Sequence, residues 1–194
     1  MRISRLFIEA DFQPNQTLEL SKEQAHYALT VLRLKSGTPI EAFDGQGNLA
    51  HGQLHVTGRR PAELLIEKIE QSSNESSLKT VLVQGISRGD RMDHSIQKAV
   101  ELGVTSIQPV FTERCEVKLQ GEKLEKRRQQ WQSIVINACE QSGRTVVPHI
   151  LPILTFEQWL QNLNSDSFGL VLDPYATSSL SDLVKPIKRY QCNF

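Results

Sequence analysis

The sequence predicts an α+β protein in two parts, a compact β-rich module carrying one helix and then an α/β domain. Two observations support this. Short strand-like segments broken by glycine and proline crowd the N-terminal part, and beyond the polar stretch QSSNESS, 71–77, the rhythm changes to strand and helix in alternation. A first domain is therefore expected over residues 1–72 and a second over 73–194.

In the first part, SKEQAHYALTVLRL begins with Ser21 and has Gln24 three residues on, the spacing of a capping box. Ala25, Leu29 and Leu32 recur at helical spacing, so a helix is expected from Ser21 to about Leu34. PIEAFDG, NLAHGQLHVTG and PAELLIEKI are broken by Gly45, Gly47, Gly58 and Pro61, as the strands of a small barrel or sheet would be. In the second part, KTVLVQ and SIQPVF read as strands. DRMDHSIQKAVELG reads as a helix with Asp90 as N-cap, Met92, Ile96, Ala99 and Val100 on one stripe, and Gly103 as its stop. EKLEKRRQQWQSIVINACEQSG places Leu124, Trp131, Ile134, Val135 and Ala138 on a face and stops at Gly143. TFEQ, from Thr155, offers another capping box, and FGLVLDP reads as a buried strand running into a loop.

A chain of 194 residues, 39% hydrophobic and 23% charged, is ordinary for a globular protein. It has no run of eighteen apolar residues and no apolar segment near its start with a small-residue cleavage site. Neither a membrane span nor a secretory signal is expected, and a cytoplasmic location is. Cys115, Cys139 and Cys192 form no CxxC pair, which argues against a disulfide framework and a thiolate zinc site. A formal charge of +0 counts against a surface wholly committed to nucleic acid but allows a local basic face. Gly45-x-Gly47-x-x-Ala50 imitates a dinucleotide fingerprint but lies between two expected strands, so it reads as a hairpin turn, and there is no GxxxxGK[ST]. His51 and His55 share a strand face without a third ligand, so a solvated face is expected and no metal.

Four places carry candidate chemistry. Arg88 and Arg91 in SRGDRM precede a helix N-terminus, where free N–H groups favour an anion such as an RNA phosphate; the alternative is pairing with Asp90, Asp93 or Glu101. Lys98 and Glu101, on that helix's polar side, are a solvated face or a site wall. Arg114 in TERCEVK follows a strand at the sheet's carboxyl edge, where open α/β sheets place ligands, unless it merely pairs with Glu113 or Glu116. ACEQSGR packs Cys139, Glu140, Gln141 and Arg144 into one turn. A glutamate near a helix C-terminus opposes the dipole, which points to a partner such as Arg144 or to a functional demand, while Cys139 reads as a small buried filler.

Taken together, RGDRMDHSIQKAVELGV, the ERC at 113–115, QQWQSIVINACEQSGR, and the VLR and FDG of the first part resemble the ribosomal RNA small-subunit methyltransferase E family, uracil-N3 methyltransferases of 16S rRNA in the SPOUT superfamily. The motifs run in the family's order over nearly the whole chain. The resemblance implies an N-terminal PUA-like β-barrel that helps hold RNA, then an α/β SPOUT domain knotted around S-adenosylmethionine. It also implies a homodimer and, as partner, 16S rRNA or the small ribosomal subunit. It assigns RNA contacts to Arg5, His26, Arg33, Arg88, Arg91 and Lys98, and cofactor contacts to Leu172, Asp173 and Pro174. Asp173 and Tyr175 stand where the family usually has histidine and arginine, and no GPEGG loop or LRTETA-like segment follows LVKPIKRYQCNF. The trefoil-knot region is therefore expected to be incomplete in this chain. For methylation at N3, Glu140 and Glu101 are the candidate bases, and Arg114 and Arg144 the candidate stabilisers of charge on the uracil oxygens. The alternative reading is a noncatalytic RNA-binding remnant lacking a complete cofactor pocket.

Overall fold

The architecture comes from a computed structural model that describes residues 3–56, 58, 62–71, 74–117, 120–163, 167–173, 175–177 and 179–181. Residues 1–159 form one compact unit and residues 160–194 another.

The capping box is realised: Ser21 Oγ accepts from the Gln24 N–H at 3.1 Å, and Gln24 Oε1 accepts from the Ser21 N–H at 2.8 Å. The helix it starts, α1 (Lys22–His26), then widens into a π-helical turn, Tyr27–Val31. Arg33 closes it at φ 54°, where glycine is usual, with the Leu34 N–H reaching back to the Ala28 carbonyl at 3.0 Å. Around it lie β1 (Ser4–Phe7), β2 (Thr17–Glu19), β3 (Pro39–Phe43), β4 (Asn48–His55) and β5 (Glu63–Gln71). Leu6, Ile40, Ala42, Ala50, Leu54, Leu64 and Ile66 are buried between them.

These strands form a five-stranded sheet in the order β1-β3-β4-β5-β2, and it is not closed into a barrel. This corrects the PUA-like β-barrel expected from the resemblance. Closure would need β1 to pair with β2, but the outer edge of β1 is already occupied by side chains. The Phe7 N–H donates to Glu140 Oε1 at 3.1 Å, and the Phe7 carbonyl accepts from Gln24 Nε2 at 2.8 Å. Side chains satisfy an edge without extending its ladder.

The second part follows the expected alternation: β6 (Val81–Gly85), α2 (Asp90–Glu101), β7 (Ser106–Phe111), α3 (Glu122–Ser142), β8 (His149–Ile150), β9 (Leu154–Thr155) and α4 (Phe156–Gln161). β6, β8 and β9 each run parallel to β7. Met92, Ile96 and Val100 of α2 and Trp131, Val135, Ala138 and Cys139 of α3 cover this sheet, and Phe43 and Leu49 of the first sheet join the same core. Gly103 and Gly143 end their helices at φ 91° and 90°. Thr155 and Gln158 make the second capping box.

Two local expectations fail. Gly89, at φ 54°, takes the N-cap position of α2, and Asp90 is already helical; the left-handed turn entering the helix demands a glycine there. FGLVLDP is no buried strand: Phe168, Leu170, Val171 and Leu172 are exposed, and no strand partner lies beside them among the described residues. Asp173 instead makes a turn, its Oδ1 accepting from the Tyr175 N–H at 2.9 Å. Pro174, Cys192 and LVKPIKRYQCNF lie outside the described residues.

Two devices join the halves of the larger unit. Asp44 is buried and accepts from the N–H groups of Gln46 and Asn48 at 2.7 and 3.1 Å, shaping the FDG turn so that the Gly45 carbonyl accepts from the Val147 N–H at 3.0 Å. Arg144, only 7% exposed, donates to both oxygens of Glu75 at 3.2 and 2.5 Å and to the carbonyls of Val100 and Val104 at 3.1 and 2.8 Å.

Two stability outcomes are expected. At Gly52, beside the bulge in the β4–β5 pairing, an added Cβ would sit 2.1 Å from the Leu65 carbonyl oxygen. Gly52→Ala should destabilise the protein by roughly 1–3 kcal/mol in urea unfolding. Arg144→Ala removes four hydrogen bonds and strands a partly buried carboxylate, for a loss of about 3–5 kcal/mol. Glu75→Gln, which keeps an acceptor, should cost less in the same assay.

Candidate nucleic-acid interface

A parallel sheet sorts its connections. The segments leaving β6 and β7 emerge at the carboxyl edge, and each following helix carries the chain back to the amino edge. Arg88, Arg91 and Arg114 all lie on the carboxyl-edge segments. Arg88 reaches across to Glu116 at 3.1 Å, with side chains 79% and 69% exposed, so the pair is weak and readily opened. The side chains of Arg91 and Arg114 are exposed and have no ion-pair or hydrogen-bond partner among the described residues. Cys115 tethers this loop, its Sγ lying 3.4 Å from the Ile86 carbonyl and 3.6 Å from that of Val117. The ERC triplet thus pairs an anchored thiol with an arginine left in solvent. Asp90 and Asp93 already occupy the first turn of α2, so the arginines rather than the helix N-terminus supply the positive charge.

The other candidates are at the opposite edge. Glu140 lies eighteen residues along α3 from Glu122, about 27 Å at 1.5 Å per residue. Arg144, just beyond, bonds carbonyls where α2 ends and β7 approaches. Lys98 and Glu101 sit in the last turn of α2, paired at 2.8 Å. The structure therefore does not bring Arg114 together with Glu140, Glu101 and Arg144 within one chain.

The two carboxylates differ in character. The Lys98 hydrogen bond holds Glu101 below the usual carboxylate range. Burial pushes Glu140 up, opposed by the Phe7 N–H and the Arg5 charge. The same burial, with the Glu140 charge, raises the Tyr27 phenol. Cys139 is fully buried and its thiol is pushed up to about 12, chiefly by burial, which fits a packing role.

Of the residues expected at RNA, His26 and Arg33 are exposed. Arg5 is largely buried: it pairs with Glu41 at 3.1 Å, donates to the Arg144 carbonyl at 3.1 Å and lies 5.3 Å over the Phe43 ring. His51 sits between two carboxylates, Nδ1 3.8 Å from Glu41 and Nε2 3.1 Å from Glu70, and no metal-binding group of side chains occurs among the described residues. Leu172 and Asp173 are exposed. Sequence reasoning missed Tyr27, Glu41 and Glu75, whose significance arises only from partners far along the chain.

Two family models match this chain. An RNA methyltransferase domain family matches residues 74–192, and an RNA methyltransferase PUA domain family matches residues 20–67. The ribosomal RNA small subunit methyltransferase E of Buchnera aphidicola from Schizaphis graminum is 33% identical over 186 residues, 96% of this chain and 76% of that protein. The crystal structure of the Neisseria gonorrhoeae ribosomal RNA small subunit methyltransferase E bound to S-adenosylmethionine superposes with a TM-score of 0.87 at 41% identity, covering 93% of this chain and 74% of that one. A Legionella pneumophila methyltransferase in complex with the same cofactor gives 0.88 at 34% identity, covering 94% and 75%. With both parts of the chain matched in order and relatives aligned along nearly its whole length, the chain belongs to the ribosomal RNA small-subunit methyltransferase E family.

Proposed function

We propose that this protein methylates N3 of an unpaired uridine in the 16S rRNA of the small ribosomal subunit, with S-adenosylmethionine as methyl donor, and that Arg88, Arg91 and Arg114 hold the RNA. The observation that carries the proposal is the gathering of three exposed guanidinium groups on the carboxyl edge of a parallel sheet, in a chain of this family. In the same reading the protein acts in the cytoplasm as a homodimer, with a division of labour near residue 72.

The chemistry suits these groups. Loss of the N3 proton leaves negative charge shared by the two flanking carbonyl oxygens, which a guanidinium can stabilise. The acceptor must be unpaired, because N3 lies on the Watson–Crick edge. Arg114, anchored through Cys115, is suited to the uracil, and Arg88, able to exchange Glu116 for a phosphate, to the backbone. The base that takes the proton is Glu140 or Glu101 only if a second copy brings its amino edge to this site; of the two, Glu140 is the better proton acceptor because its burial raises its basicity.

The cofactor is S-adenosylmethionine, which supplies the electrophilic methyl group. Leu172 and Asp173, assigned to it by resemblance, do not enclose a ligand of that size: Leu172 is 89% exposed. That exposure favours a second reading, in which the chain binds RNA without transferring methyl.

Arg88→Ala and Arg114→Ala should each leave stability within about 0.5 kcal/mol. Arg88→Ala, which removes a phosphate contact to single-stranded RNA, should reduce the slope of log affinity against log salt by about 0.7. Arg114→Ala should lower methyl incorporation from labelled S-adenosylmethionine more than it lowers RNA affinity. Salt-dependent RNA binding with no methyl incorporation by the unmodified chain would establish the second reading; an unchanged slope would remove Arg88 from the interface, and unchanged methyl incorporation would remove Arg114.

A further inference from the structure

At the amino edge, far from those arginines, lies a half-open cavity of about 170 Å³ whose walls include Ile3, Arg5, Tyr27, Leu32 and Glu140. We propose that it is a recognition pocket for one unpaired guanine of the bound RNA, on the sheet edge opposite the three exposed arginines of the same chain. The proposal rests on the reading that the chain binds RNA.

Its size suits one base, being below the roughly 300–1,000 Å³ of cavities that take drug-sized ligands. Tyr27 offers an aromatic face and Ile3 and Leu32 offer apolar walls, the surroundings in which an unstacked base is held. The polar group that reads the base is Glu140. Its Oε1 accepts from the Phe7 N–H at 3.1 Å, while its Oε2 has no hydrogen-bond partner among the described residues. Arg5 does not pair with it, because the terminal nitrogens of Arg5 are engaged by Glu41 and the Arg144 carbonyl.

A carboxylate so placed calls for hydrogen-bond donors. Guanine presents two adjacent ones, N1–H and the N2 amino group. Uracil flanks its N3–H with carbonyl oxygens that repel a carboxylate, and adenine and cytosine each set an acceptor nitrogen beside their amino group. Capping the edge of β1 does not explain the charge. A glutamine would accept from the Phe7 N–H equally well; the Arg5 charge favours the carboxylate, whose second oxygen is left for a ligand.

The test is anisotropy titration of the full chain with labelled five-nucleotide RNAs, UUGUU, UUAUU, UUCUU and UUUUU. The guanine form should bind about tenfold more tightly than the others, the discrimination of one good paired contact. Glu140→Gln should erase that preference without lowering the melting temperature, and Tyr27→Ala should weaken UUGUU while Tyr27→Phe retains it. Equal affinity for all four RNAs, or a guanine preference that survives Glu140→Gln, would overturn the proposal. Failure of the RNA-binding reading itself would look different: no salt-dependent binding to any of the four, and no response to Arg114→Ala.

Discussion

The outer edge of β1 is the constraint on which the rest of the structure depends. An unpaired strand edge needs partners for its N–H and carbonyl groups. Here Phe7 finds them in two side chains, Glu140 from the end of α3 and Gln24 from the capping box of α1. Gln24 serves twice, its Oε1 closing the helix cap while its Nε2 closes the strand edge. Because the edge is filled by α3 rather than β2, the first sheet stays open and is fastened to the α/β part. Phe43 then enters the second core, and Gly45, where an added Cβ would lie 3.0 Å from the Phe7 ring, lets the FDG turn lie against Val147. Both sheets accordingly belong to one compact unit.

The arginines divide by solvation. Arg144 and Arg5 are largely buried and hydrogen-bonded, and the carbonyl of Arg144 is itself a ligand of Arg5, so the two cations form one network from Glu41 through to Glu75. Removing a member of such a network leaves a desolvated partner behind, which makes these arginines structural whatever else they do. Arg88, Arg91 and Arg114 face water, where an ion pair contributes about 0–1 kcal/mol and exchange with an incoming anion costs little. Residue type is the same in both groups; burial decides which guanidinium groups are open to an incoming anion.

Much of the fold was legible because it is written locally. Ser21 with Gln24, Thr155 with Gln158, the glycines at 103 and 143, and the stripe from Met92 to Val100 all act within a few residues and appear where spacing placed them. What was hidden is non-local. The failure of the barrel to close turns on a bond between Phe7 and Glu140, 133 residues apart, and the polar stretch before β6 holds Glu75, 69 residues from its partner Arg144. The candidate site suffered in the same way: Arg114 and Glu140 read as neighbours in a motif list, whereas the length of α3 puts them at opposite edges of the sheet.

That sorting also reconciles a chain of net charge +0 with RNA binding. The acidic residues of the first sheet are engaged locally: Glu70 pairs with Lys68 and His51, Glu67 accepts from Gln53, and Glu41 is held by Arg5. The Lys68 and His51 contacts hold the Glu70 carboxyl below its usual range, and the Lys68 ammonium offsets its charge. At the carboxyl edge Asp90, Asp93, Glu113 and Glu116 lie in the same segments as Arg88, Arg91 and Arg114, so the proposed phosphate contacts depend on individual guanidinium groups, acting within about a Debye length at physiological salt, and not on a net positive field. Neutrality of the whole chain is therefore compatible with the proposed RNA contacts, because exchanging an exposed pair such as Arg88–Glu116 for a phosphate is a local event that costs little.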